Sequence, residues 1–174
     1  MRLDKRNQFK NIKIVLSRWG FSKQGLLNNS KGEWYFFSQI QLILLHFIPP
    51  YPKIEHTQVA INTFFIIIGL SISIQGLIIV IKAFLDLGEN LTPLPYPINE
   101  SILIKNNSYQ NVRHPLYKGL LLISLGISIF SLSLIHLCLL IFLAYILKIK
   151  ALKEEERLKI KFPAYKKYIK EVPA

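Results

Sequence analysis

The chain alternates between long uncharged runs and shorter polar, cationic ones. The first apolar run, WYFFSQIQLILLHFIPPY, lies between Glu33 and Lys53 and predicts a helix over about 34–50. Gln39, Gln41 and His46 interrupt it, and Pro49 and Pro50 close it. Whether it crosses a bilayer fully or lies shallow therefore stays open. Val59–Ile81 carries no charge over 23 residues, about 35 Å of helix and enough to span a hydrocarbon core. Gly119–Leu147 is again uncharged over 29 residues. As one straight helix it would run about 43 Å, well beyond a ~30 Å core. Ser131-Leu132-Ser133 near its middle can turn the chain and cap a new helix, which predicts a hairpin with arms near 115–131 and 133–150.

Charge favours the hairpin. Of 22 basic residues, eight precede Trp34, four (Lys82, Lys105, Arg113, Lys118) lie between the second and third spans, and nine follow Leu147. Four spans place all of these on one side, as the positive-inside rule requires, with both termini cytoplasmic. The periodicity of the second arm continues through Lys150 and Leu152 into Leu158. One long helix is therefore expected to leave the membrane and carry Glu154–Glu156 just above its surface. Gly69, Ser73 and Gly76 share one face of the second span and predict close helix approach.

Composition agrees with this class. Hydrophobic residues make up 51% and charged residues 18%, the formal net charge is +12, and the mean hydropathy is +0.33. That is too apolar for a disordered chain or an ordinary soluble surface. The expected fold is all-α: a polytopic membrane protein of about four transmembrane helices ending in a helical hairpin. Residues 1–33 form a basic cytoplasmic arm without the apolar core of a signal peptide, and 34–174 form the membrane-embedded domain. Phe9, Ile12, Leu16 and Trp19 share a helical face, which suits a helix lying on an anionic leaflet; an irregular basic arm is the equal alternative. The cations sit where topology puts them, so nucleic acid is not an expected partner. Cys138 is the single cysteine, which excludes a disulfide framework and a paired-thiol zinc site, and no metal is expected. The glycines spell neither G-x-G-x-x-G nor a phosphate loop. His46 and His136 read as hydrogen-bonded packing inside apolar segments.

Residues 82–118 form a long connection, and long ordered connections in small proteins are usually functional. Pro115 suits the first turn of a helix because it lacks an N–H. His114 then stands at the N-cap beside free backbone donors, an end that binds anions. Tyr109 and Tyr117 offer aromatic faces to a cation or an adenine ring. Lys150 lies one turn before Glu154 on the same helical face.

Four segments carry a family resemblance. Leu87-Gly88-x-Asn90-Leu91-Thr92-Pro93-x-Pro95 and Tyr109-x-x-x-Arg113-His114-Pro115-x-Tyr117-x-Gly119 precede the hairpin's apolar body, and Glu154-Glu155-x-x-Leu158 and Phe162-Pro163-x-Tyr165-x-x-Tyr168 follow it. In this order they resemble the isoprenylcysteine carboxyl methyltransferase family, a group that also includes phospholipid N-methyltransferases, over about residues 60–172. The resemblance implies an integral-membrane enzyme of a small microbial type. It would use S-adenosylmethionine at the cytoplasmic surface to methylate a lipophilic, prenylated or lipid acceptor that enters from the bilayer. It implies cofactor contacts at Leu103, Ile104, Tyr109, His114, Pro115, Leu116, Tyr117, Glu154 and Glu155. The catalytic candidates that would orient the acceptor are Lys150 and Arg113. Asn107 stands where relatives often have glycine and is expected to keep a left-handed turn. Lys150 stands where eukaryotic prenylcysteine enzymes place arginine, which keeps the charge but not the two-pronged carboxylate grip. Two other readings go with the same fold: an NADPH-dependent reductase of the sterol-reductase type, and a non-enzymatic membrane protein that keeps the architecture.

Overall fold

The computed structural model describes residues 19–52 and 59–174, and the amphipathic reading of Phe9, Ile12 and Leu16 lies outside them. Among the described residues the regular elements are all helical: α1 (Lys23–Asn28), α2 (Glu33–Leu45), α3 (Val59–Leu87), α4 (Pro115–Ser131), α5 (Leu134–Lys161) and α6 (Tyr165–Glu171), with 3₁₀ turns at Gly88–Asn90 and Asn107–Tyr109. Helices α3 and α5 are long and apolar enough to cross a membrane. The predicted first span is shorter than expected. Helix α2 has 13 residues, about 20 Å, and loosens into i→i+3 turns at His46, Phe47 and Ile48 before Pro49. Helix α4 has 17 residues, about 26 Å.

The interior is built from small residues and the outside from large ones. Gly69, Gly76, Gly119, Gly126, Ser124 and Ser128 are buried, while Phe64, Ile67, Ile74, Ile81 and Phe142 are exposed. In water that outer face would be a large apolar patch; against lipid it is the ordinary boundary, and helices associate through small residues that let backbones meet. The α3 seam predicted at Gly69, Ser73 and Gly76 packs within the chain on α4. A Cβ on Gly76 would lie 2.7 Å from the Gly119 carbonyl oxygen, and one on Gly126 would strike the Ser73 hydroxyl and the Gly69 carbonyl.

The hairpin forms where expected. Leu132 takes the left-handed conformation (φ 46°) and ends α4, and Ser133 opens α5. Ser133 does not cap α5 with its side chain, because its hydroxyl accepts from the Tyr51 N–H (2.9 Å) and donates to the Tyr51 carbonyl (3.1 Å). The same end of the bundle holds His46 and His136. His46 Nε2 lies 2.6 Å from the Ser124 hydroxyl, and His136 Nε2 lies 3.3 Å from the His46 carbonyl oxygen. This is the packing role expected of both.

At the other end α5 continues unbroken to Lys161. Pro163 forces the residue before it out of helical space, and Phe162 is extended (φ −123°, ψ 100°). The chain then folds back as α6, whose Tyr165 and Tyr168 form a buried cluster with Val172 just after the helix, and Leu103, Leu158, Phe162 and Ile169 pack around it.

Candidate functional site

The site is assembled where the 88–113 connection meets the start of α4, the far half of α5 and α6. Asn107 adopts φ 54°, the expected left-handed turn, and the Asp86 carboxylate holds it by accepting from the Asn107 side-chain amide and the Ser108 N–H, each at 3.0 Å. The Asn90 side chain accepts from the Ile102 N–H (2.8 Å). Lys161 donates to the carbonyls of Ile98 and Asn99 and to the Ser101 hydroxyl. The Tyr168 hydroxyl donates to the Tyr109 carbonyl. These bonds press the extended stretch around Leu103 and Ile104 against α5 and α6. Among the described residues the backbone groups of Leu103 and Ile104 make no hydrogen bond with the protein, so a ligand can use them.

Pro115 is the first residue of α4 and His114 its N-cap, as the sequence indicates; the His114 side chain makes no capping bond. The N–H groups of Leu116 and Tyr117 consequently remain available in the first turn. The His114 and Tyr117 rings stack, with centroids 5.3 Å apart and planes 7° from parallel.

Two adjacent carboxylates of α5 divide the work. The Glu154 carboxylate accepts from the Tyr117 hydroxyl (2.8 Å) and lies 3.9 Å from His114 Nδ1. Glu155 is buried and lies 3.0 Å from His114 Nε2 and 2.9 Å from Arg113 Nε. A carboxylate only accepts, so the His114 proton facing Glu155 is on Nε2. Arg113 also donates to the carbonyls of Ile169 (3.0 Å) and Val172 (2.7 Å), while its own N–H bonds the Pro173 carbonyl (2.9 Å). Its charge thus faces Glu155 and the end of α6, a clamp within the chain that local sequence does not reveal.

Three hollows meet here. A narrow chamber of about 70 Å³ is bounded by Leu103, Ile104, Tyr109, His114 and Glu154, with Asn90 and Tyr165 among its other walls. A second chamber, about 180 Å³, shares Tyr109, His114 and Glu154 with it and adds Leu116, Tyr117 and Lys150. Its remaining walls include Phe36 and Gln39 of α2. On the other face of the hairpin, an apolar groove of about 740 Å³ runs between α4 and α5 from His114 and Glu155 down past Leu125 and Leu140. Burial pushes the Tyr109, Tyr165 and Tyr168 phenols up from their ordinary values, so each stays a neutral donor.

Of the residues singled out from sequence, Leu103, Ile104, Tyr109, Arg113, His114 and Glu154 share one chamber, and Leu116, Tyr117 and Lys150 join it through the second. Glu155 lines neither chamber. Gln39 is the residue the sequence reading missed. Its signal was an amide in an apolar run, one of two with Gln41, and that does not say which helix it meets.

The donor set suits S-adenosylmethionine. A carboxylate stands ready for hydroxyls or an ammonium, uncapped helix donors for a carboxylate, aromatic faces for a sulfonium and adenine, and unpaired backbone beside them. A family described as phospholipid methyltransferase matches residues 64–164. That family includes the isoprenylcysteine carboxyl methyltransferases. No curated protein and no solved structure matches the chain.

Proposed function

The chain belongs to the phospholipid methyltransferase family, and on that premise we propose that it transfers a methyl group from S-adenosylmethionine to a lipophilic acceptor held at the membrane surface. The observation that carries this reading is the convergence of Leu103, Ile104, Tyr109, His114 and Glu154 on one chamber that shares six lining residues with a second.

The cofactor brings an already activated methyl on a sulfonium, so the protein needs to position and to exclude water rather than to activate. Leu103 and Ile104 would offer backbone groups to the adenine end. Glu154 would accept from ribose hydroxyls or the amino group, and the Leu116 and Tyr117 N–H groups would meet the carboxylate. Tyr109 and the stacked His114–Tyr117 pair would face the sulfonium. Even together the chambers, about 70 and 180 Å³, stay below the range of about 300–1,000 Å³ usual for a ligand site, so the site would widen as the cofactor and the reacting end of the acceptor enter. Glu155 acts at one remove by fixing the His114 ring, while Arg113, which lines both chambers, holds Glu155 and ties the end of α6 over the site.

We place this site at the cytoplasmic face, on the side of the basic connections, with α2, α3, α4 and α5 as the four membrane passes and both termini on that side. The thin spans α2 and α4 would be accommodated by local thinning of the bilayer. The α4–α5 groove, apolar and open to lipid, would admit the acceptor's hydrocarbon part.

The test is transfer of labelled methyl from S-adenosylmethionine into organic-extractable material when the detergent-purified protein is mixed with total membrane lipids. The reading expects incorporation that Glu154→Ala abolishes. No incorporation above a boiled control, with NADPH oxidation in its place, would move the chain to the reductase reading.

A further inference from the structure

The outer half of α5 carries cations that the chain answers with rings instead of acids. Deeper in the bundle the Lys150 ammonium joins α5 to α2 by donating to the Gln39 side-chain oxygen (2.7 Å). Toward the surface the pattern changes. Lys153 Nζ stands 4.5 Å from the centre of the Tyr35 ring, near the start of α2. One turn on, the Arg157 guanidinium stands 4.8 Å from the centre of the Tyr96 ring, and Lys31 Nζ reaches the same ring at 5.7 Å. The two rings belong to touching segments: a Cβ on Gly32 would lie 2.6 Å from Pro95 Cγ and 3.2 Å from Tyr35 Cδ2. Among the described residues no carboxylate comes within ion-pair distance of Lys31, Lys153 or Arg157. Glu33, the acid nearest to Lys31 in sequence, is fully buried and accepts from the Lys31 backbone N–H instead (2.9 Å). Aromatic faces hold cations in place without cancelling their charge, and like charges one turn apart on a helix repel. Three cations on two neighbouring rings therefore leave a surplus that an anion would relieve.

Depth decides which anion. A hydrocarbon layer of about 30 Å takes about 20 residues of helix. The apolar layer that begins at Leu134 therefore ends within a turn of Lys153, and Arg157 stands about 6 Å further out. Trp34, beside Tyr35 and 55% exposed, is the kind of aromatic that settles at headgroup level. We propose that Lys31, Lys153 and Arg157, braced by Tyr35 and Tyr96, form a site for the phosphate of an anionic phospholipid. Arg157 offers the two-pronged fork that phosphate oxygens accept from, and the two lysines add point charges. A choline or ethanolamine headgroup would bring its own cation among these three; a glycerol headgroup does not. None of the five residues lines either chamber or the α4–α5 groove. The lipid held here is thus neither the methyl acceptor nor a cofactor contact, and the site stands whether or not the chain transfers methyl groups.

The test uses the full chain in lipid nanodiscs, with Trp19→Phe so that Trp34 is its one tryptophan. The discs hold equal amounts of phosphatidylglycerol and phosphatidylcholine, and one or the other is brominated near the glycerol end of its chains, where it quenches Trp34. A cation fixed near the membrane surface is worth about fivefold in affinity for an anionic lipid. Trp34 should therefore report phosphatidylglycerol in preference by at least about fivefold. Arg157→Gln and Lys153→Gln should each cut that preference by about fivefold. Lys159→Gln removes the same charge from another side of α5 and should leave it unchanged. Equal quenching by the two lipids would overturn the site. So would an equal loss in all three variants, which would assign the preference to the net charge of +12. Relief of the quenching by inorganic phosphate at constant ionic strength would also overturn it, in favour of a soluble phosphate ligand.

Discussion

The Tyr117 hydroxyl donates a 2.8 Å hydrogen bond to the Glu154 carboxylate, joining the first turn of α4 to the outer half of α5 across 37 residues of sequence. The bond closes the open end of the hairpin just where both chambers meet. It also fixes one Glu154 oxygen and so orients the other. Tyr117→Phe should keep the fold and the ring stack on His114 but loosen the carboxylate. A hydrogen bond to a charged group contributes about 1.5–3 kcal/mol, so cofactor affinity should fall by about tenfold or more on isothermal titration. An unchanged affinity would mean that Glu154 needs no orienting partner.

Arg113 is expected to matter for stability before chemistry. Its side chain bonds Glu155, Ile169 and Val172. Arg113→Met would leave Glu155 with His114 as its one remaining polar partner and release the end of α6. Breaking a buried pair costs about 3–5 kcal/mol, which should appear as a clear drop in the midpoint of thermal unfolding in detergent. Lysine should not rescue it, because a single ammonium cannot reproduce the planar fork that reaches three acceptors. A midpoint within a degree of wild type for Arg113→Met would remove the clamp from this account.

The α3–α4 seam makes a prediction of the opposite kind, in which adding atoms does the damage. Gly126 and Gly69 meet backbone to backbone. Gly126→Val should force the helices apart, with overpacking costing about 1–3 kcal/mol, and lower yield and thermal midpoint together. Cys138, which is exposed, is the control position: Cys138→Ala should change neither. Equal tolerance at both would show that the seam is not a contact.

Alkaline pH should release the site before the membrane helices. The Tyr109, Tyr165 and Tyr168 phenols are raised by burial first and nearby carboxylates or each other second, apart from Tyr168, where burial alone does the raising. A folded-state value above the unfolded one of about 10 means that their stabilisation is complete below pH ~10. It is then lost as pH climbs from there through the folded values. Through these phenols the thermal midpoint should fall as pH rises above about 10. In Tyr168→Phe, which also loses the bond to the Tyr109 carbonyl, the midpoint should start lower and fall less steeply. A parallel fall in both proteins would assign the alkaline transition elsewhere.

Much of the fold was legible because it follows from local rules. Ser131-Leu132-Ser133 inside an overlong apolar run implied the hairpin, Pro115 fixed the first turn of α4, and Asn107 kept the left-handed turn that glycine usually makes. The periodicity beyond Lys150 carried α5 out to Lys161. What was not legible depends on partners distant in sequence. Gln39 is 111 residues from Lys150, and an amide in an apolar run does not say which helix it will face. Arg113 read as a group that would orient the acceptor, because two of its partners are backbone carbonyls, which no side-chain pattern encodes, and the third, Glu155, is distant in sequence. Helix α2 was expected to run to residue 50 and stops at Leu45, since Pro49 and Pro50 remove two donors and the preceding turn tightens.

The chambers around His114 and Glu154 are proposed to hold S-adenosylmethionine. The most direct measurement is calorimetric titration of that cofactor into detergent-purified wild type beside His114→Ala and Glu154→Ala. Wild type should bind it saturably, with affinity at least tenfold weaker in both variants while their thermal midpoints show folded protein. Folded wild type that takes up no cofactor, or variants that bind it as tightly as wild type, would contradict the account.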